Sequence, residues 1–238
     1  MRTWIKDPLA IFAEDAERGL VVEGARIAEC VGKGETPDGI DATFDASRYV
    51  VLPGLVNTHH HFYQTLTRAH PSAINKPLFP WLVALYPIWA RLKPNHLRLA
   101  SRLALTELML SGCTTAADHH YLYPEGLENA VDIEVEEARA VGMRMTVSRG
   151  SMNLSEKDGG LPPDSVVQDE ETILADSERV LKLFHDPKPG AHIRVALAPC
   201  SPFSISKALM IESARLAERY DASFTHISAR LRMKNSSA

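Results

Sequence analysis

From residue 54 onward, short apolar runs alternate with longer segments whose apolar residues recur at helical spacing, and this alternation limits the fold more than any other feature. Residues 54–57 are a short apolar run leading into histidines. Residues 94–111 have helical spacing and stop at Gly112, a natural helix end. Residues 113–117 read as a buried strand that ends in Asp118-His119-His120. Segment 129–141 is helical up to Gly142, 143–148 is the next strand, and 169–185 is a helix broken by Asp186-Pro187-Lys188-Pro189-Gly190. Residues 192–198 form a strand, 207–220 a helix, and a fifth strand starts near Ala222. Strands alternating with helices imply parallel βα units. A closed (β/α)8 barrel takes eight such units and typically about 250 residues. The expected fold is therefore α/β, an incomplete (β/α)8 TIM barrel holding strands one to five.

The first fifty residues have a different texture. Residues 9–13, 19–24 and 26–31 read as strands, 32–39 as a loop with three glycines and a proline, and 44–51 as the way out of it. The expected division is a small β unit at 1–52, the first half of a barrel at 53–224, and a tail at 225–238.

Composition narrows the function classes. The chain has 238 residues, 45% hydrophobic and 24% charged, which supplies a globular core. A net charge of -4 with no basic stripe argues against nucleic-acid or membrane-surface binding. No window approaches the roughly 18–20 apolar residues of a membrane span, and the start Met1-Arg2-Thr3-Trp4-Ile5-Lys6-Asp7-Pro8 lacks a signal peptide's apolar core. Cys30, Cys113 and Cys200 are odd in number and widely spaced, so they read as reduced core thiols in a cytoplasmic protein.

The residues richest in chemistry are Asn57-Thr58-His59-His60-His61, at the end of the first barrel-type strand. Residues i and i+2 of a strand share a face. His59 and His61 can thus present two imidazoles to one ion while His60 faces away, and barrel active sites sit at the C-terminal strand ends. Cys113 and Cys200 have no basic partner beside them and read as core rather than nucleophiles. The run Glu134-Val135-Glu136-Glu137 reads as a solvated helix face.

The run Pro53-Gly54-Leu55-Val56-Asn57-Thr58-His59-His60-His61 resembles the metal-binding motif P-G-[LF]-[VI]-[ND]-x-H-x-H of the amidohydrolase superfamily. The stretches Phe62-Tyr63-Gln64-Thr65-Leu66-Thr67-Arg68-Ala69, Phe79-Pro80-Trp81-Leu82, 111–120, Arg149-Gly150-Ser151-Met152 and 198–203 are similar to its 8-oxoguanine deaminase and hydroxyatrazine ethylaminohydrolase branch. The resemblance covers nearly all of residues 1–224 and implies that 1–52 is part of a β-sandwich domain. It also implies a hydrolytic deaminase that acts on carbon–nitrogen bonds of aminated heterocycles, 8-oxoguanine or a related purine first. The alternative is a triazine hydrolase releasing an alkylamine or chloride. One divalent ion, zinc or iron, is implied, with His59 and His61 as its first two ligands. The resemblance further implies a third histidine and a glutamate from an H-x-x-E pattern at strand five, a histidine from strand six and an aspartate from strand eight; none of these is identifiable here. Gln64, Trp81, His120 and Arg149 sit where substrate contacts are expected, at or just past strand ends. Either His119 or His120 reads equally as a structural histidine. The expected partner is a small heterocyclic substrate, and family likeness leaves homo-oligomers open.

After Phe224 the pattern departs from that family. The resemblance calls for H-T-H-L-x-E-T, and the chain continues Thr225-His226-Ile227-Ser228-Ala229-Arg230. Reverse translation with one cytosine restored after the Phe224 codon reads F-H-T-H-L-G-E-T-A-N-E-E-Q-F-C. Residues 225–238 are therefore read as an out-of-frame tail in which His226 stands one residue early, on the wrong face of a strand. Two histidines alone leave a catalytic metal underligated. The expectation is a chain that is inactive and poorly soluble by itself; the reading from another class is a non-catalytic fragment that depends on a partner chain.

Overall fold

In the computed structural model of the chain, residues 1–225 are described. The expected tail beyond Thr225 lies outside them. Two compact units are present, Met1–Gly54 and the part from Leu55 onward.

The first unit is built of β1 (Arg2–Lys6), β2 (Ala10–Ile11), β3 (Gly19–Glu23), β4 (Arg26–Cys30), β5 (Ala42–Asp45) and β6 (Val50–Val51). Four strands form one sheet in the order β4-β3-β1-β5, and β2 pairs with β6 in a separate ribbon. Trp4 packs with Val21 and Val31, and its indole N–H donates to the Arg18 carbonyl at 3.0 Å. Strand β1 is absent from the sequence reading because its five residues hold only Trp4 and Ile5 as apolar signal. Residues 9–13 yield only the two-residue β2. Cys30 is exposed, a correction to its reading as a core thiol, whereas Cys113 and Cys200 are buried; all three are free. Strand β4 is largely exposed along its length, and Cys30 stands at its end.

The second unit contains β7 (Leu55–Asn57), α1 (Leu78–Trp89), α2 (Pro94–Leu110), β8 (Cys113–His120), α3 (Ala130–Val141), β9 (Arg144–Ser151), α4 (Glu170–Phe184), β10 (Ile193–Pro199), α5 (Lys207–Arg219) and β11 (Ser223–Phe224). Its five strands pair in chain order, all parallel, as a curled sheet. This is the arrangement of the first strands of a (β/α)8 barrel. Helix ends follow local chemistry. Asp169 and Ser206 accept from the backbone N–H groups of Thr172 and Leu209 and so cap α4 and α5, and Gly142 closes α3 in the left-handed region at φ 78°. Between sheet and helices lie Leu105, Ala116, Val135, Met145, Val147, Val180, Val195 and Leu197, all fully or nearly fully buried. Among the described residues no helix is long and apolar enough to cross a membrane.

Two local features differ from expectation. Helix α1 was not anticipated, because Pro80, Pro87 and a run of aromatic residues mask its periodicity. Pro80 is harmless in the first turn, where an N–H has no helical partner. Leu85, Tyr86 and Trp89 then bury one face. The acidic run on α3 is not a solvated face. Glu136 is exposed, but Glu134 and Glu137 are 0% and 1% exposed, since the helical phase turns them inward with Ile133 and Ala138.

Candidate metal centre and active-site cavity

The C-terminal ends of β7 and β8 lie side by side, with Asn57 in register with Ala116. The residues just beyond them, 59–61 and 118–120, therefore meet. The Asn57 side chain accepts from the His59 N–H at 3.2 Å and turns the chain as it leaves β7. The His119 N–H donates to the His60 carbonyl at 2.8 Å. His61 answers from its ring, with Nδ1 2.7 Å from the His119 carbonyl. Since a carbonyl only accepts, Nδ1 carries the proton and Nε2 is left with its lone pair free. That is the tautomer a metal-binding imidazole needs, held by a backbone carbonyl as such ligands commonly are.

The rings of His59 and His61 stand edge to face with centroids 4.8 Å apart. The His119 ring completes a cluster, 5.6 Å from His61 and 6.2 Å from His59, while His60 turns aside against Phe62. Burial pushes His61 down to about 3 and His119 down to about 4, so both stay neutral at physiological pH. Neutral imidazoles with an unshared lone pair suit zinc or iron, and the donor chemistry of His59 and His61 fits a divalent ion. His119 differs, because its Nε2 lies 3.2 Å from the Ala198 carbonyl.

His59 and His61 border a cavity of about 340 Å³ shared with Gln64, Phe79, Trp81, Tyr121, Cys200 and Phe203. Half of its lining residues carry flat rings. The Gln64 amide nitrogen donates to the Tyr63 hydroxyl at 3.2 Å, which leaves its carbonyl oxygen free to accept. Burial pushes the Cys200 thiol up to about 12, so it remains protonated. A second hollow of about 510 Å³ opens on the other side of His59, lined by Thr115, Asp118, His119 and Ser148 among others.

Of the four residues expected to contact substrate, Gln64 and Trp81 face the aromatic cavity with the two histidines. His120 and Arg149 border neither cavity. His120 is 0% exposed, with Nε2 2.8 Å from the Leu122 carbonyl and Nδ1 3.0 Å from Glu134. Arg149 is equally enclosed. It bonds Asp176, Gln168 and the Gly150 carbonyl and lies 4.0 Å from the Tyr123 ring centre. Both side chains turn behind the strand ends, because strand residues point alternately to the two faces of a sheet. Next to Arg149, Gly150 runs against β8 so closely that an added Cβ would sit 2.7 Å from the Tyr121 Cβ and closer still to the His120 carbonyl oxygen.

Sequence reasoning missed the buried group behind the histidines. Asp118, His120 and Glu134 bring one ligating atom each to within 4.8 Å of the others. The Asp118 Oδ1 accepts from the Phe62 N–H at 2.6 Å. Burial raises Glu134 to about 8 and holds Asp118 well above the usual carboxylate range, and it lowers His120 to about 4. Two carboxyls this close and this dry hold a proton between them at neutral pH. The 3.0 Å approach of His120 to Glu134 is then a contact between neutral groups rather than an ion pair.

Known proteins are similar to this chain over most of its length. Over 235 residues it is 58% identical to an 8-oxoguanine deaminase of Pseudomonas aeruginosa, which takes in 97% of this chain and 52% of that one. Over 179 residues it is 37% identical to a hydroxydechloroatrazine ethylaminohydrolase of a Pseudomonas species, covering 74% of this chain and 37% of the other. A solved atrazine chlorohydrolase from Arthrobacter aurescens, complexed with zinc, superposes with a TM-score of 0.87 at 27% identity, over 96% of this chain and 53% of that one. The chain thus spans about half the length of the 8-oxoguanine deaminase and of the atrazine chlorohydrolase. The model of the amidohydrolase family matches residues 50–231, and with these likenesses it follows that the chain belongs to the amidohydrolase family.

Proposed function

We propose that this chain forms the first metal-binding and substrate-facing half of a hydrolytic deaminase for aminated heterocycles, with 8-oxoguanine as first candidate. One observation carries the reading: the rings of His59 and His61, with centroids 4.8 Å apart, open onto a cavity lined in good part by flat rings, in a chain 58% identical to an 8-oxoguanine deaminase. The chemistry a divalent ion supplies in such a site is Lewis acidity that makes water a nucleophile at neutral pH. His61 is oriented for that ion by the His119 carbonyl, and zinc is the first choice by its imidazole donors. Trp81 and Phe79 offer faces on which a planar ring stacks, and the free carbonyl oxygen of Gln64 accepts from a ring N–H. The apolar walls exclude bulk water from the ring carbon that loses its amine. Hydroxyatrazine-type substrates are the second reading, favoured by the zinc-bound structural likeness but by lower sequence identity.

Zinc titration against a chromophoric chelator tests the first half of this reading. One equivalent is expected for the chain, with binding lost in H59A and in H61A. Undiminished binding by both variants would end it. Calorimetry with 8-oxoguanine and with hydroxyatrazine on the zinc-loaded chain tests the second half. Weakening of the purine on Trp81→Ala by about 1–2 kcal/mol is expected from a lost stacking face, and preference for the triazine would reverse the order of substrates.

A further inference from the structure

Three hydrogen bonds tie residues 60–62 to the end of β8. They run from the His119 N–H to the His60 carbonyl, from the His61 ring to the His119 carbonyl, and from the Phe62 N–H to the Asp118 carboxylate. Two of them are backbone contacts on the β8 side and would survive most substitutions. The third depends on one side chain, and it is short, at 2.6 Å. Asp118 is 1% exposed, so its orientation is set by protein groups alone. Those groups are Glu134 from α3 and His120 from β8, both 0% exposed. Asp118 Oδ2, His120 Nδ1 and both Glu134 oxygens meet no hydrogen-bond partner of good geometry among the described residues, one another included. His120 is in turn pinned by the Leu122 carbonyl. The cluster's hydrogen bond toward the histidine segment therefore runs through Asp118 Oδ1, and it ends on the residue that follows His61.

We propose that Asp118, backed by Glu134 and His120, is a positioning residue that fixes the His59–His61 segment for metal binding. The inference rests on the reading of His59 and His61 as ligands. Its physical content is preorganisation: the Phe62 amide is held from below, so the backbone of His61 cannot rotate, and its ring stays in line with the His119 carbonyl. Partners behind a metal ligand commonly contribute 10–100-fold in affinity, on the order of what is expected here. The same three side chains have the composition of an ion site of their own. Their complete enclosure and the commitment of Asp118 Oδ1 to the Phe62 N–H favour the positioning role.

The test is zinc affinity, by chelator competition, for the full chain and for H61A, D118A, D118N and E134Q, with circular dichroism as the check on folding. D118A is expected to bind zinc 10–100-fold more weakly, on the order seen for such partners. D118N keeps an oxygen that accepts the Phe62 N–H, and E134Q keeps a donor toward Asp118, so both are expected to stay within a few-fold of the parent. Zinc binding in H61A equal to the parent overturns the ligand assignment and this proposal together. Loss in H61A with parental affinity in a folded D118A overturns the positioning role alone. If D118A does not fold, D118N decides: a folded D118N that loses ten-fold or more shows that the charge itself is needed, which overturns the proposal. A second zinc equivalent that disappears in both D118N and E134Q also overturns it, by making the cluster an ion site.

Discussion

Helix α3 buries two glutamates one turn apart, and they behave in opposite ways. Glu134 faces β8 and meets only Asp118 and His120; burial raises it to about 8. Glu137 faces α2, where Arg98 and Arg102 both bond its carboxylate, at 2.8 and 2.7 Å. Those bonds lower its pKa against the opposing effect of burial. Nearly equal exposure thus gives a proton-holding acid on one face of the helix and a fixed anion on the other. The arginines are themselves 38% and 56% exposed, so water stays close to the Glu137 side and far from the Glu134 side. Enclosure alone does not set the charge of a buried group; the identity of what encloses it does.

This contrast can be broken experimentally at three points. The largest effect is expected from removing both arginines. The double variant Arg98→Ala, Arg102→Ala leaves Glu137 as a buried anion without a counter-charge, and urea unfolding at pH 7 should show a loss of about 3 kcal/mol. The deficit should shrink below pH 5 as the carboxylate protonates; a constant deficit would mean that the arginine stems, not their charges, matter. Next in size is the pH dependence due to Glu134. Its folded pKa lies above its unfolded value, so the folded state holds a proton that the unfolded chain has already released, and stability falls as pH rises toward 8. Asp118, also raised, acts in the same direction. His120 acts oppositely, its folded pKa being lowered, but its contribution is confined to pH values below its ordinary 6.5. Between pH 6.5 and 8 the parent should therefore lose about 2 kcal/mol for each proton so held, at about 1.4 kcal/mol per pH unit and proton. Glu134→Gln should reduce that slope by one proton's share, with Asp118 accounting for what is left, and an unchanged slope would place the ionising group elsewhere. The smallest effect belongs to Glu136, which pairs with Arg98 at the surface. Glu136→Ala should change stability by less than about 0.5 kcal/mol, and a larger change would show that Arg98 needs both partners to hold Glu137.

The same contrast explains what could be read in the sequence. His59 and His61 were legible because two residues on a strand end share a face whatever the rest of the fold does. The parallel βα order was legible for a similar reason, as period and punctuation are local properties. Gln64 and Trp81 were placed on the cavity by their position after the strand end and by likeness to a family. The inward turn of Glu134 was not legible. A helical acidic run looks solvated unless the phase is counted from Ile133 and Ala138, and its partner Asp118 lies on another element. That His120 and Arg149 turn away from both cavities was not legible either, because a strand's exit does not reveal which of its two faces looks into the cavity. The pairing of β7 with β8 is the signal that would have linked His119 to His61, and no single stretch of sequence contains it.

Gly150 carries a consequence for how this site can change over generations. Every other amino acid brings an atom into the space occupied by the His120 carbonyl and the Tyr121 side-chain root, which belong to the scaffold and not to a flexible tip. A library that varies the cavity wall can therefore explore Gln64, Phe79 or Trp81 freely. At position 150 any change that replaces the glycine yields a protein that must first move a strand. Heredity is thus far less free at this bare backbone position than at the aromatic residues that shape the cavity.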